Sequence, residues 1–314
     1  MRVLILSVTT GGGHNAAADS IEAEFIRRRE LGEDIDVFKE DFFQYINKFF
    51  YDVMDKGYLF VTRYFPALFG KSYDTLESAE NLRKAALALS GSEFLVDRFS
   101  HYFRGDMPDV ILTTHVFCTL TLNDLKARGL IRCPVIGVMT DYCIHPYWED
   151  CDFMDYLVIA DELFSGAAVA RGIPERKLLP LGIPVRPKFL HREDKRGARL
   201  ALGLDPDQTT VLVMGGSMGY GNIPETCESI LNLDRDYQVA AICGKNEKTV
   251  KELQKISNTN LFPIGYANNV ELYMDAADCI VTKPGGLTCT ELLVKNLPAI
   301  LVNPIPGPES RNIR

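Results

Sequence analysis

Short runs of aliphatic and β-branched residues alternate along this chain with longer stretches of mixed polarity. In the first half, which also carries a predicted helix over 16–29, strands are expected at 3–8, 35–38, 109–114, 135–140, 156–160 and 177–181. In the second half, where a helix is expected from about Pro224, the predicted strands are 210–214, 239–243, 260–264, 279–282 and 299–302. Such alternation is typical of parallel sheets with crossover helices, so the predicted fold class is α/β.

A segment rich in helix-breaking residues separates the two series of strands. Gly182-Ile183-Pro184-Val185-Arg186-Pro187 is expected to link the domains. The predicted organisation is therefore an N-terminal domain over 1–185 and a C-terminal domain over 186–314, both Rossmann-like and doubly wound, facing each other across a cleft. Because the second domain stops just after a strand and a proline-rich turn, we expect it to be C-terminally incomplete.

Composition and charge narrow the class of protein. The net charge of −8 disfavours nucleic acid as a partner. No apolar run reaches the roughly 18 residues that a membrane-spanning helix requires. The eight cysteines are scattered without a C-x-x-C pair, which argues against a zinc site and favours a reducing cytoplasm.

The first candidate site follows the first predicted strand. Thr10-Gly11-Gly12-Gly13-His14 forms a glycine-rich loop, where backbone N–H groups of residues such as Gly12 and Gly13 can approach a ligand. A simple tight turn between strand and helix is the alternative interpretation. His14, as the last residue of the loop, is a candidate for proton transfer near neutral pH.

A second candidate site follows the strand expected at 135–140. Asp141 is predicted to lie at the mouth of the cleft, where its carboxylate is a candidate general base. His145 and Trp148 are candidates for contacts with an acceptor, since an indole can pack against a sugar face. The alternatives are that Asp141 caps a turn, His145 lies on the surface and Trp148 packs in the core.

A third candidate site begins where the strand at 279–282 ends. Pro284-Gly285-Gly286-Leu287 leads into a helix that Thr288 is expected to cap, and Glu291 at the third position beyond it completes a capping box by spacing. The same arrangement would direct N–H groups at a diphosphate and allow Glu291 to accept hydrogen bonds from the two hydroxyls of a ribose.

Two other segments of the second domain could complete a nucleotide site. Gly215, Gly216 and Ser217 form a second loop that is expected to face phosphate. Backbone groups around Phe262, Gly265 and Tyr266 could contact the edge of a uracil. Loop amides can balance diphosphate charge by themselves, so neither a metal nor another cofactor is expected.

These motifs occur in the order that is found in a known family. The elements Ser-x-Thr-x-Gly-Gly-Gly-His, Thr-Asp-Tyr-x-x-His-x-x-Trp and Pro-Gly-Gly-Leu-Thr-x-x-Glu resemble those of the monogalactosyldiacylglycerol synthases and bacterial processive diacylglycerol glucosyltransferases of glycosyltransferase family 28. The resemblance extends over essentially the whole chain. More distantly, the second half is similar to the N-acetylglucosaminyltransferase that makes the lipid-linked peptidoglycan precursor.

The resemblance implies the GT-B fold, with the acceptor on the N-terminal domain, a UDP-sugar on the C-terminal domain and no catalytic metal. It adds Leu287, Glu309 and Asn312 to the expected donor contacts. The family usually has Pro-Gly-Gln-Glu near the hexose, whereas this chain has Pro306-Gly307-Pro308-Glu309, so the choice among glucose, galactose and N-acetylglucosamine stays open.

An aromatic segment distinguishes the N-terminal domain. Between Phe42 and Tyr73 the chain holds twelve aromatic residues and four cations against two anions. This composition predicts a contact with an anionic membrane surface or a lipid acceptor, for which the candidates are Phe49, Phe50, Phe60 and Phe65. A helical pair packed on the domain is the alternative.

The predicted function is transfer of glucose or galactose from a UDP-sugar to diacylglycerol, with inversion to a β-glycoside. Asp141 is slightly favoured over His14 as the base, because a carboxylate stays ionised at pH 7. The expected location is the cytoplasm, with peripheral attachment to the inner face of the cell membrane. A UDP-N-acetylglucosamine transferase with another lipid acceptor, a UDP-sugar epimerase and a non-catalytic UDP-sugar sensor are the alternatives.

Overall fold

The computed structural model describes residues 1–8, 12–42, 107–233, 235–305 and 308–313. The contacts of these residues divide the chain into two compact units. The first unit contains the described residues within Met1–Arg186 and within Pro306–Asn312, and the second contains those within Pro187–Ile305 together with Ile313. The division follows Arg186, inside the predicted linker.

The first unit is built on a parallel sheet whose spatial order in the described part is β2-β1-β3-β4-β5-β6. Its strands are β1 (Arg2–Ser7), β2 (Asp36–Asp41), β3 (Val110–Thr113), β4 (Val135–Val138), β5 (Tyr156–Val158) and β6 (Leu178–Leu179). Among its described residues the helices are α1 (Gly12–Glu30), α2 (Val116–Ala127) and α3 (Ser165–Ala170), with 3₁₀ helices at Pro146–Asp150, Glu162–Phe164 and Glu175–Lys177.

The second unit repeats this design with the parallel order β11-β10-β7-β8-β9. Its strands are β7 (Thr209–Met214), β8 (Tyr237–Ile242), β9 (Leu261–Ile264), β10 (Cys279–Thr282) and β11 (Ala299–Leu301). A 3₁₀ helix at Pro187–Phe189 opens the unit, and its helices are α4 (Lys195–Ala201), α5 (Ile223–Leu231), α6 (Glu247–Leu253), α7 (Val270–Ala276) and α8 (Gly286–Lys295). The short helix α9 (Pro308–Asn312) belongs to the first unit.

The central strand β1 shows why the sequence folds into covered parallel sheets. Its side chains alternate between the two faces, and both faces are buried, as its uninterrupted aliphatic run requires. Leu4 and Leu6 pack into a cluster with Ile111 on one face. Val3 and Ile5 pack with residues such as Ala18 of α1 on the other face.

Both units bury thiols. Cys118, Cys133 and Cys151 lie in the core of the first unit, and Cys227 and Cys243 lie in the core of the second. Burial raises the pKa of each of these thiols, to about 12 for Cys227 and about 11 for Cys243. A buried thiol of this kind is protonated at neutral pH and chemically inert.

The predicted strands are confirmed in place, with shifts of at most three residues at their ends. The main difference lies at α1, which begins at Gly12 and not at residue 16. Gly12, Gly13 and His14 therefore form the first turn of the helix instead of a loop before it. Among the described helices, none has both the length and the apolar character needed to cross a membrane.

Candidate active site

His14 reaches from the first turn of α1 to the carboxyl ends of β3 and β4. Its Nδ1 lies 2.7 Å from the backbone carbonyl oxygen of Thr114 and 3.0 Å from Oγ1 of Thr140. A carbonyl oxygen can only accept, so His14 Nδ1 carries the hydrogen and donates it. In the neutral ring the lone pair then resides on Nε2, which is the nitrogen left to take up a proton.

The surroundings of His14 keep this ring neutral at pH 7. Burial lowers its pKa below the ordinary value, and this effect outweighs the opposing influences of the Asp141 carboxylate and the Thr114 carbonyl. A neutral imidazole with an adjacent carboxylate can accept a proton and then have its positive charge stabilised. The geometry therefore supports His14 as a general base.

A second histidine, His115, lies beside His14 and was missed by the sequence analysis. The two ring centroids are 4.5 Å apart and the planes are nearly perpendicular. His115 caps the N-terminus of α2, where its Nδ1 accepts a hydrogen bond from the Phe117 backbone N–H at 3.2 Å. Burial, followed by the nearby His14 and His145, holds the pKa of His115 well below its usual value. The neutral ring of His115 therefore carries its hydrogen on Nε2, the reverse of His14.

His145 is a partly buried cap and not the surface residue of the alternative interpretation. Its Nδ1 accepts a hydrogen bond from the Tyr147 backbone N–H at 3.2 Å, at the start of the 3₁₀ helix Pro146–Asp150. Burial is the largest cause that lowers its pKa to about 4, with Arg311, Arg171 and His14 acting in the same direction. Its role in acceptor binding stays a prediction.

Asp141 follows β4 and is held by a residue from the end of the chain. Its Oδ1 accepts a hydrogen bond from Nδ2 of Asn312 at 3.0 Å, and Oδ1 of Asn312 accepts one from the Tyr142 backbone N–H at 2.9 Å. We expected Asn312 among the donor contacts, but its amide contacts the loop after β4 in the first unit. Glu309 of the same short helix is buried, and its predicted donor contact stays a prediction.

Trp148 belongs to the core, which corrects its expected contact with an acceptor. Its side chain is 6% exposed and packs in a cluster with Met139, Met154 and Leu157. The indole also occupies the space above β4, where a Cβ added at Gly137 would lie 2.5 Å from Cζ3 of Trp148. The indole therefore has no open face for a sugar.

The other acceptor candidates divide between described and undescribed residues. Gly12 is exposed and Gly13 is partly buried at the start of α1, and their contact with an acceptor stays a prediction. Phe49, Phe50, Phe60 and Phe65 lie outside the described residues. At the edge of that segment, Phe42 is 2% exposed and packs in the core beside Leu4.

In the second unit, the loops after β7 and β10 lie side by side because these strands are neighbours in the sheet. Gly216 has a φ of +72°, and a Cβ added there would lie 2.8 Å from Cε of Lys283. Gly219, with a φ of +60°, packs against the loop after β8, where an added Cβ would lie 2.0 Å from the Cys243 carbonyl oxygen. The positive φ favours glycine at both positions, and at Gly219 the close approach of backbone also leaves no room for a Cβ. The Lys283 side chain lies over the loop at 215–217.

The start of α8 differs from the expected capping box. The helix begins at Gly286 with Gly285 as its N-cap, and no side chain caps it. Thr288 is the third helical residue and cannot be the cap, because Pro284 and Gly285 allow the chain to enter the helix earlier. Glu291 lies one turn into α8, as expected, and is 7% exposed. Its contact with a ribose stays a prediction.

The segment expected near a uracil is partly structural. Phe262 lies on β9 and packs against a small cluster formed by Ala198, Leu204 and Ala276. An added Cβ at Gly265 would have nothing within 4 Å, and the side chain of Tyr266 is 58% exposed. In the described part of the chain, no three His, Cys, Asp or Glu side chains are grouped to hold a metal ion.

Comparison with solved structures supports the GT-B fold. The glycotransferase of kitacinnamycin aligns with a TM-score of 0.59 at 12% identity, covering 99% of this chain and 83% of that one. MurG from Acinetobacter baumannii aligns with a TM-score of 0.54 at 14% identity, covering 99% of this chain and 82% of that one. The predicted α/β fold of the GT-B type is thereby confirmed.

Sequence comparison extends over both units. A processive diacylglycerol β-glucosyltransferase from Bacillus cereus (strain G9842) is 29% identical over 317 residues, which cover 99% of this chain and 78% of that protein. The family 28 glycosyltransferase C-terminal domain matches residues 210–311. The monogalactosyldiacylglycerol (MGDG) synthase family matches residues 14–185, a range that contains His14, His115, Asp141 and His145. More than half of the chain follows the pattern of that family, and the chain belongs to the monogalactosyldiacylglycerol synthase family.

Proposed function

We propose that this protein transfers a hexose from a UDP-sugar to the free hydroxyl of diacylglycerol and inverts the anomeric centre to give a β-glycoside. The observation that carries the proposal is the neutral His14 ring, whose Nδ1 hydrogen is directed at the Thr114 carbonyl and whose Nε2 lone pair remains. Family membership and the glucosyltransferase relatives support the same reaction.

His14 is the proposed general base, with Asp141 as its charged partner. The sequence alone slightly favoured Asp141 as the base, but Asp141 Oδ1 accepts a hydrogen bond from Asn312 and its charge acts on His14. The acceptor oxygen forms a bond to the anomeric carbon while the bond from that carbon to the UDP oxygen breaks. The hydroxyl proton passes to Nε2 of His14, and Asp141 stabilises the imidazolium that results.

The second unit is proposed to bind the UDP-sugar. Amides at 215–217 and 284–286 and the uncapped start of α8 would contact the diphosphate, and Lys283 over the first of these loops supplies a positive charge. Glu291 would accept hydrogen bonds from the ribose, and the exposed Tyr266 would lie near the uracil. These groups balance the charge of departing UDP without a metal.

We further propose that the protein attaches reversibly to an anionic membrane, on the inner face of the cell membrane. Support comes from the sequence between Phe42 and Tyr73, where aromatic residues are dense and cations outnumber anions. A chain of net charge −8 requires such a local region, because an anionic surface repels its average charge.

Transfer to lipid is tested directly with labelled UDP-glucose, UDP-galactose and UDP-N-acetylglucosamine in diacylglycerol vesicles, followed by lipid chromatography. We expect a β-linked hexosyl diacylglycerol that forms equally well in EDTA. His14→Gln should reduce turnover by about 10²–10⁴-fold, the usual contribution of a general base. Conversion of the UDP-sugar without lipid would indicate an epimerase, and UDP binding without any transfer would indicate a sensor.

A further inference from the structure

The amide of Asn312 holds the loop that carries Asp141. Its Nδ2 donates to Asp141 Oδ1 at 3.0 Å, while its Oδ1 accepts from the Tyr142 backbone N–H at 2.9 Å. A rotated amide would place oxygen against carboxylate and NH₂ against N–H, so only one orientation satisfies both bonds. The amide nitrogen and the amide oxygen of Asn312 therefore hold two consecutive residues, Asp141 and Tyr142.

The hydrogen bond from Asn312 limits the freedom of the Asp141 carboxylate. Asp141 and Tyr142 are partly buried residues in a bend that follows β4, outside any regular element. A carboxylate in such a position can rotate about two side-chain torsions. The hydrogen bond from Asn312 restricts both torsions and thereby determines where the negative charge lies relative to His14.

The position of that charge matters because the other groups around His14 do not replace it. Within the described residues, the titratable groups that interact with the His14 ring are Asp141, His115 and His145. Both of these histidines are neutral at pH 7, and Arg311 and Arg171 act on His145. Asp141 is therefore the anion that can favour a positive charge on His14.

We propose that Asn312 is a positioning residue, which holds the carboxylate of Asp141 at the site where it stabilises protonated His14. This inference rests on the proposed function, and the donor contact expected for Asn312 from the sequence stays a prediction. It also gives α9 a role: the helix delivers one amide from the end of the chain to the first unit.

A double-mutant cycle tests whether Asn312 acts through Asp141. In Asn312→Ala we expect kcat to fall about 10–100-fold, the loss found when a hydrogen-bonding partner that orients a metal ligand is removed. UDP affinity by calorimetry should stay within about twofold. The double variant Asp141→Asn/Asn312→Ala should be no slower than Asp141→Asn alone, because the amide then has no carboxylate left to position.

Ser310→Ala provides the matched control in the same short helix and should retain the kcat of the wild type. Asn312→Asp keeps the side-chain shape but loses the donor, so it should lose kcat at pH 7 while its melting temperature stays near that of Asn312→Ala. An NMR titration of the His14 ring supplies a readout without transfer: its pKa should fall in Asn312→Ala.

Several results would overturn the inference. They are a tenfold loss of UDP affinity in Asn312→Ala, multiplicative losses of kcat in the double variant, or an unchanged His14 titration. Absence of transfer by the wild type would instead overturn the proposed function, and the His14 titration would still decide the role of Asn312.

Discussion

In the proposed mechanism, His14 and Asp141 have different tasks: His14 accepts the proton and Asp141 stabilises the charge that results. His14 presents Nε2 as the acceptor because its Nδ1 donates to a main-chain carbonyl. Asp141 acts on that ring by its charge and raises its pKa against the stronger effect of burial. A variant that removes the charge but keeps the shape can therefore separate the two roles.

In Asp141→Asn, the acidic limb of the kcat/KM profile should move to lower pH. The wild-type limb should lie below pH 6.5, because burial lowers the pKa of His14. Loss of the neighbouring negative charge makes protonated His14 less favourable and lowers its pKa further. Turnover at pH 7.5 should also fall about 10²-fold or more, since the imidazolium loses its partner.

A shift of the limb to higher pH in Asp141→Asn would contradict this division of roles. Near-complete loss of activity at every pH, together with a nearly normal His14→Gln variant, would identify Asp141 as the base. The measurement is kcat/KM for the UDP-sugar from pH 5 to pH 9.

Glu291 offers a second test at the level of one side chain. Glu291→Gln keeps the volume of a nearly buried side chain in α8 but weakens it as an acceptor. Charge-assisted hydrogen bonds contribute roughly 1.5–3 kcal/mol, so UDP affinity by calorimetry should fall at least about tenfold. Glu228→Gln on α5 is the control and should bind UDP like the wild type. Equal affinity in Glu291→Gln would leave this carboxylate with a structural role only.

Two glycines of the second unit show how the stability of a loop depends on backbone packing. Gly219 and Gly203 both have a positive φ, at +60° and +71°. At Gly203 an added Cβ would have open space, whereas at Gly219 it would lie 2.0 Å from the Cys243 carbonyl oxygen. The pair therefore separates the energetic cost of conformation from that of steric overlap.

Gly203→Ala should lower the free energy of unfolding by about 1–2 kcal/mol, the cost of the left-handed conformation alone. Gly219→Ala should cost at least about 1–3 kcal/mol more, because the loop after β8 must shift. UDP affinity should fall only in Gly219→Ala. Urea unfolding measures the stabilities, and equal losses in the two variants would contradict the packing seen at Gly219.

The cap of the 3₁₀ helix Pro146–Asp150 makes stability depend on pH. His145 has a pKa of about 4 in the folded protein and about 6.5 when unfolded, so the unfolded chain binds its proton first. The free energy of unfolding should therefore decrease as the pH falls through this interval. Between pH 7 and pH 5, His145 alone accounts for a decrease of about 2 kcal/mol.

His145→Asn should remove this part of the pH dependence while it preserves the cap, because an asparagine oxygen accepts from the same backbone N–H. Urea unfolding at pH 7 and pH 5 provides the measurement. The exposed Gln254→Asn is the control and should leave the slope as in the wild type. An unchanged slope in His145→Asn would show that His145 is not the titrating group.

Sequence patterns predicted the central strands well, because strands such as β1, β7 and β10 are largely aliphatic runs that require burial on both faces. They predicted Asp141, His14 and the strand-end loops for the same reason: polar groups after such runs gather at one edge of the sheet. His115 was missed because its importance depends on its contact with the ring of His14, which lies 101 positions earlier in the chain. The hydrogen bonds of Asn312 to Asp141 and Tyr142 were not foreseen, because tertiary folding brings these distant residues together. Thr288 was wrongly predicted as the cap of α8 because it fits the local pattern of a capping box. The helix instead begins earlier, at Gly286, after Pro284 and Gly285.

At the scale of the whole molecule, the net charge opposes the proposed membrane attachment. The net charge of −8 repels anionic lipid, while we propose that the cations and aromatic rings between Phe42 and Tyr73 attract it. Binding should therefore be reversible and stronger on anionic vesicles. High salt should remove only part of it, because screening weakens the charges but not the burial of apolar rings.

Replacement of Phe49, Phe50, Phe60 and Phe65 by serine should release the protein from anionic vesicles in a flotation assay. Phe153→Ser removes a ring that is 52% exposed elsewhere in the first unit, and this control should float like the wild type. Loss of folding in the fourfold variant, as measured by circular dichroism, would show that the rings belong to the core.

The buried thiols allow the unfolding of each unit to be measured separately. Cys118, Cys133 and Cys151 can react with a maleimide only when the first unit opens, and Cys227 and Cys243 only when the second unit opens. A brief pulse of reagent at rising urea, followed by peptide mass spectrometry, would yield two separate unfolding curves from one unmutated sample. The same burial protects these five thiols from alkylation as long as the two domains stay folded.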